Sequence, residues 1–147
     1  MNPIIMAAGL VAVGLLSPGM AVTSAKATPS VHISRVWYDS PGRDSRSTTS
    51  LNGEWVQIKN SGAARRSLKG WTLRDRGGNV YVFPAFTLGA GKTVKIHTGS
   101  GKNGASHRYQ RRKTSVWNNS GDAAILRNAA GTSVDSCSWT QGVSKYC

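Results

Sequence analysis

The feature that most constrains this chain is a period of two. In Glu54-Trp55-Val56-Gln57-Ile58-Lys59-Asn60, Trp55, Gln57 and Lys59 fall on one side of an extended backbone, and Glu54, Val56 and Ile58 on the other. Side chains on a strand alternate faces, so this stretch reads as a strand with an apolar side. Asn60-Ser61-Gly62 then supplies turn chemistry. The same punctuation recurs down the chain. Val31 to Tyr38 is rich in β-branched and aromatic residues and ends at Asp39-Ser40-Pro41-Gly42. Residues 42–50 read as a polar loop without an apolar anchor, and Ala63 to Arg66 as a basic turn. Ser67 to Arg74, with Trp71, reads as a strand. Asp75-Arg76-Gly77-Gly78 makes a hairpin turn into Asn79 to Phe83, which Pro84 stops.

Lys92 to Thr98 alternates again, with Val94 and Ile96 inward and Lys95 and His97 outward. Ser100 to Lys113 is a long polar connection, of the kind that is functional or mobile in a compact domain. Ser115 to Trp117, Ala123 to Asn128 and Thr132 to Trp139 read as the remaining strands. No helical period of useful length interrupts them. Short strands at intervals of about 8–14 residues, with turns between, predict an all-β sandwich or barrel.

Ile4 to Leu16 is an apolar run, broken by Ser17-Pro18-Gly19 and followed by a small-x-small site at Ala25-Lys26-Ala27. It is too short to cross a bilayer as a helix, so residues 1–27 read as a secretory signal peptide. Residues 28–147 are then one soluble, extracellular domain. The chain has 19 Lys and Arg against 6 acids; without Lys26 that is 18 against 6, about +12. A field of that sign draws nucleic acid, teichoic acid or anionic lipid surfaces. Cys137 and Cys147 are the only cysteines. In an oxidising compartment they predict one structural disulfide across the C-terminal tail, with an intermolecular bridge as the alternative.

The segments Ile33 to Asp39, Gly42 with Asp44, Asn52 to Asn60, Leu68 to Asp75, Tyr81 to Pro84, Thr87 to Gly91 and Trp117 to Asp122, with Ala124 and Leu126, follow one another in a familiar order. Together they resemble the lamin tail domain, which implies an immunoglobulin-like β-sandwich. Two departures stand out: family members often carry acids where this chain has Arg35 and Gln57. Both changes move the domain toward positive charge and weaken any acidic cation site. The helical rod of lamins is absent, so filament assembly does not carry over. Bacterial members often adjoin nuclease, phosphatase or other hydrolase domains; none accompanies this sequence.

No HxH, HxxxH, HExxH or GxSxG pattern occurs around His32, His97, His107 or the serines. The sequence therefore points to no metal, no cofactor and no catalytic residue, and Glu54 reads as an acceptor for a neighbouring strand or turn. Trp37, Trp55, Trp71, Trp117 and Trp139 read as packing residues, Trp55 least so because it shares a face with Gln57 and Lys59. Two basic runs stand out as anion-binding candidates: Arg65, Arg66, Lys69, Arg74 and Arg76, and Lys102, Arg108, Arg111, Arg112 and Lys113 with Tyr109 among them. Guanidinium groups pair with phosphate, and a base can stack on Tyr109. The expectation is a non-catalytic binding or scaffolding module for an anionic polymer. The alternatives are a small hydrolase such as a nuclease, pairing His97 or His107 with Glu54 or an Asp, and a protein-interaction module working through a sheet edge.

Overall fold

Two antiparallel-based sheets face each other across an apolar layer. The structure is a computed structural model that describes residues 29–42 and 45–147, with Gly14 and Gly19. The expected signal peptide otherwise lies outside the described residues. The strands are β1 (Val31–Trp37), β2 (Trp55–Asn60), β3 (Arg66–Ser67), β4 (Thr72–Arg74), β5 (Val80–Val82), β6 (Thr87–Leu88), β7 (Thr93–His97), β8 (His107–Tyr109), β9 (Asp122–Arg127), β10 (Ser133–Trp139) and β11 (Ser144–Tyr146). A short helix, α1 (Thr48–Asn52), follows β1. One sheet runs β11-β1-β2-β7-β8 and the other β10-β9-β4-β5, while β3 and β6 form a separate ribbon. This is an immunoglobulin-like β-sandwich.

The alternation in β2 does what the sequence predicts: Val56 and Ile58 are fully buried, and Trp55, Gln57 and Lys59 are half-exposed. Ile33, Val36, Val94 and Ile96 join them from the same sheet. Leu73, Ala124, Leu126 and Trp139 meet them from the other. Each buried Val, Ile or Leu contributes on the order of 1.5–3 kcal/mol by leaving water.

The two sides of the sandwich are fastened differently. On one side Cys137 in β10 is bonded to Cys147 beyond β11, with Cα atoms 5.9 Å apart. Lys145 also reaches across to the Ser138 carbonyl at 2.6 Å. On the other side Arg112 donates from Nη2 to the Val80 carbonyl at the β5 edge, at 3.0 Å.

Several local expectations change. The expected 42–50 loop is anchored where it is described: residues 45–50 lead into α1, where the Ser47 hydroxyl accepts from Ser50 N and Leu51 is buried. The Ser67–Arg74 strand is broken into β3 and β4, because the chain turns at Gly70 (φ +79°) and buries Leu68. The 100–113 connection is not wholly irregular; it contains β8, which pairs parallel with β7. Ser115–Trp117 is not a strand. Its backbone amides at Val116 and Trp117 donate instead to Glu54 Oε1, at 2.8 and 3.0 Å. Trp37 and Trp55 are not in the core; only Trp71, Trp117 and Trp139 are buried.

Candidate binding face

The outward side of the five-stranded sheet carries two rows of rings and cations. Register places Trp37 beside Trp55, Trp55 beside His97, and His97 beside Tyr109, so one row crosses four strands. The second row runs Tyr146, Arg35, Gln57, Lys95 and His107. A β-bulge between Ile33 and Arg35 makes this possible. Strict alternation after Ile33 would turn Arg35 inward; the extra residue flips the phase, so Val36 and Tyr38 are buried and Arg35 and Trp37 face out.

The rings and cations contact one another closely. Trp37 and Trp55 have centroids 6.1 Å apart. The Arg35 guanidinium carbon lies 4.9 Å from the Trp37 centroid and 4.2 Å from that of Tyr146. Lys95 Nζ lies 4.1 Å from the Trp55 centroid. Arg35 Nη2 donates to Ser144 Oγ at 3.3 Å, while its buried Nε has no protein partner.

At the β8 end of the row, His97 stacks on both His107 and Tyr109, with centroids 5.1 and 5.0 Å away. His97 Nδ1 lies 2.8 Å from the Asn52 carbonyl, which can only accept, so Nδ1 carries a proton. His97 Nε2 lies 2.8 Å from His107 Nδ1. In the neutral pair His107 donates to His97. Burial pushes the His97 pKa below its ordinary value of 6.5, and the His107 and Lys95 charges add to this, against the Asn52 hydrogen bond. The residue before Tyr109's neighbouring loop is equally constrained: a Cβ on Gly101 would fall 2.5 Å from the Tyr109 ring. The loop backbone therefore presses on the tyrosine.

Four of the six acids are occupied elsewhere. Glu54 points to the core side, with Oε1 taking bonds from Thr98 Oγ1, Val116 N and Trp117 N. Burial raises its pKa and outweighs those bonds. Asp75 accepts from Asn79 N and Nδ2, both at 2.7 Å. Asp122 accepts from Arg76 N, Asn118 N and Ala123 N. Asp135 accepts from Ile33 N and Ser136 N. These four carboxylates close turns and tie strands together with neutral donors. Glu54 is buried on the core side, while His97 and His107 lie on the outer side of the sheet. No group of three or more His, Cys, Asp or Glu suited to a metal occurs among the described residues.

The basic runs fall mainly on the flank beside β8. Arg65, Arg66, Lys69, Arg76, Lys102, Arg111 and Lys113 are exposed, while Arg74, Arg108 and Arg112 are half-buried. Arg108 lies 4.8 Å from the Phe86 centroid, next to β6, which pairs with Arg66 in β3. Arg112 binds the Val80 carbonyl, and Val80 stands opposite Arg74. Arg108 of the second run therefore lies near the ribbon that carries Arg66, and Arg112 at the β5 edge whose Val80 pairs with Arg74. Tyr109 does not join them, because alternation turns it onto the outer face beside His97.

The lamin tail domain family profile matches residues 24–141. The chain belongs to the lamin tail domain family. A search of curated proteins gave no match. In this lamin tail domain, Arg35 and Gln57 sit side by side in the register, in the middle of the outward face. The two positions where the resemblance led us to expect acids are therefore adjacent, and the described strands of that face carry no carboxylate. Sequence reasoning missed Arg35 and Lys95 as members of a site. The signal was available in the phase slip between Ile33 and Val36.

Proposed function

We propose that this lamin tail domain is a secreted, non-catalytic binding module for anionic polymers, nucleic acid or teichoic acid. The observation that carries the reading is where the negative charge goes. Glu54, Asp75, Asp122 and Asp135 are engaged by backbone amides, hydroxyl and amide groups rather than by Lys or Arg. These four carboxylates thus leave the excess of positive charge unneutralised, with a net formal charge of +13 on the whole chain. Arg66, Arg74, Arg108 and Arg112 supply guanidinium groups suited to phosphate. The disulfide and the absence of a membrane-spanning helix among the described residues fit an extracellular setting.

A salt titration against DNA and teichoic acid tests this. Binding at low ionic strength should fall steeply as salt rises, because bound phosphates release counterions. No binding to either polymer at low salt removes the proposal. Turnover of nucleic acid or phosphoesters, lost on His97→Ala or His107→Ala, would instead establish the hydrolase.

A further inference from the structure

We propose that the outer face of the five-stranded sheet binds unpaired nucleobases of single-stranded nucleic acid, with Trp37 and Trp55 as stacking surfaces and Arg35 and Lys95 as phosphate ligands. This rests on the anionic-polymer reading and narrows it to one ligand class and one surface.

The chemistry of the face selects the ligand. Its outward residues on β1, β2, β7, β8 and β11 include Arg, Lys, His, Trp, Tyr, Thr, Ser and Gln, and no carboxylate. A neutral sugar would leave the Arg35 and Lys95 charges without a counterpart. Teichoic acid and polyphosphate offer anions but no planar groups, and would leave the aromatic row unused. A single strand supplies both a flat ring and a charge in every nucleotide. Four neighbouring strands at about 4.8 Å spacing give a row of roughly 14 Å. Sheets that display aromatics to RNA stack about two or three bases on a comparable width.

Magnitudes decide whether a base can take the ring faces that Arg35 and Lys95 now cover. An exposed cation–π contact contributes about 0.5–1 kcal/mol. Stacking a base on an aromatic side chain contributes about 1–3 kcal/mol. At Trp55, where Lys95 makes a single such contact, the exchange therefore favours the base, and the displaced ammonium lies within side-chain reach of the phosphate that arrives with it. The cations are held over the rings in the free protein and move to the backbone of the ligand in the complex. Gly101 supports Tyr109 from the loop side, which fixes the end of the row.

The test compares three probes on the purified protein: a short oligo(dT), an abasic phosphodiester of equal length, and inorganic polyphosphate. Oligo(dT) should bind most tightly. Trp55→Ala should weaken oligo(dT) binding roughly 5- to 100-fold and leave abasic binding unchanged. Lys95→Ala should lower the salt slope by about one. Independently of any variant, the indole N–H resonances of Trp37 and Trp55 should shift with oligo(dT) and not with polyphosphate. Equal binding of oligo(dT) and the abasic strand, or wild-type affinity in folded Trp55→Ala with unmoved indole signals, overturns the stacking site while the anionic reading stands. Failure to bind all three probes overturns both.

Discussion

His97 Nε2 and His107 Nδ1 lie 2.8 Å apart and share one proton across the outer face of the sheet. His97 cannot accept a further proton without turning its Nε2 acceptor into a donor. Its folded pKa lies below 6.5, so the unfolded chain binds more protons as pH falls through that region. The stability contributed by neutral His97 is present above pH 6.5 and is lost as pH drops through the folded value. His97→Gln should flatten this part of a curve of denaturant midpoint against pH.

Glu54 works in the opposite sense. Its folded pKa is above the ordinary 4.5, chiefly through burial, so the folded state holds its proton longer. Stability from this group is fully present below about pH 4.5 and declines as pH rises through the folded value. Glu54→Gln keeps an acceptor for Val116 N and Trp117 N and should abolish that decline. Glu54→Ala should cost on the order of 2–4 kcal/mol, since it leaves buried amides unpaired. Urea unfolding of the two variants across pH 4–8 separates the charge from the acceptor.

Reduction, or Cys147→Ser, should cost about 2–3 kcal/mol, the chain-entropy value for a loop of this length. The separation between the cysteines is 10 residues. The consequence extends beyond stability. Freed β11 carries Tyr146 away from Arg35, so the reduced protein should also show a changed affinity for oligo(dT). Melting and titration of the same reduced sample check both.

Arg111 is the one non-glycine among the described residues with a positive φ, at 61°. Left-handed backbone costs a side-chain-bearing residue roughly 1–2 kcal/mol, part of which glycine's larger unfolded entropy takes back. Arg111→Gly should therefore raise stability by up to about 1 kcal/mol. If Arg111 touches phosphate, the same change lowers the salt slope by about one.

The sandwich was legible because Val56, Ile58, Val94 and Ile96 follow a strict alternation, and because glycines and prolines mark its turns. What was not legible came from long-range pairing. Nothing near Ser115 reveals that its neighbours will be held by Glu54 rather than by a strand. Nothing near His107 announces a parallel partner in β7, since such a ladder depends on register with residues already folded. The candidate face was hidden for a related reason. Trp37, Trp55, Lys95 and Tyr109 are scattered through the sequence and become neighbours only when four strands align. The arginine runs, being contiguous, drew more notice than Arg35, whose outward position depends on one extra residue in β1.

A covalent bond closes the flank at β10 and β11, whereas only non-covalent contacts, among them Arg112 to the Val80 carbonyl, close the other among the described residues. Such a molecule should yield like a book bound along one spine. Under heat or force the β5 and β8 margins part first, and amides there should exchange with solvent long before those beside the cystine.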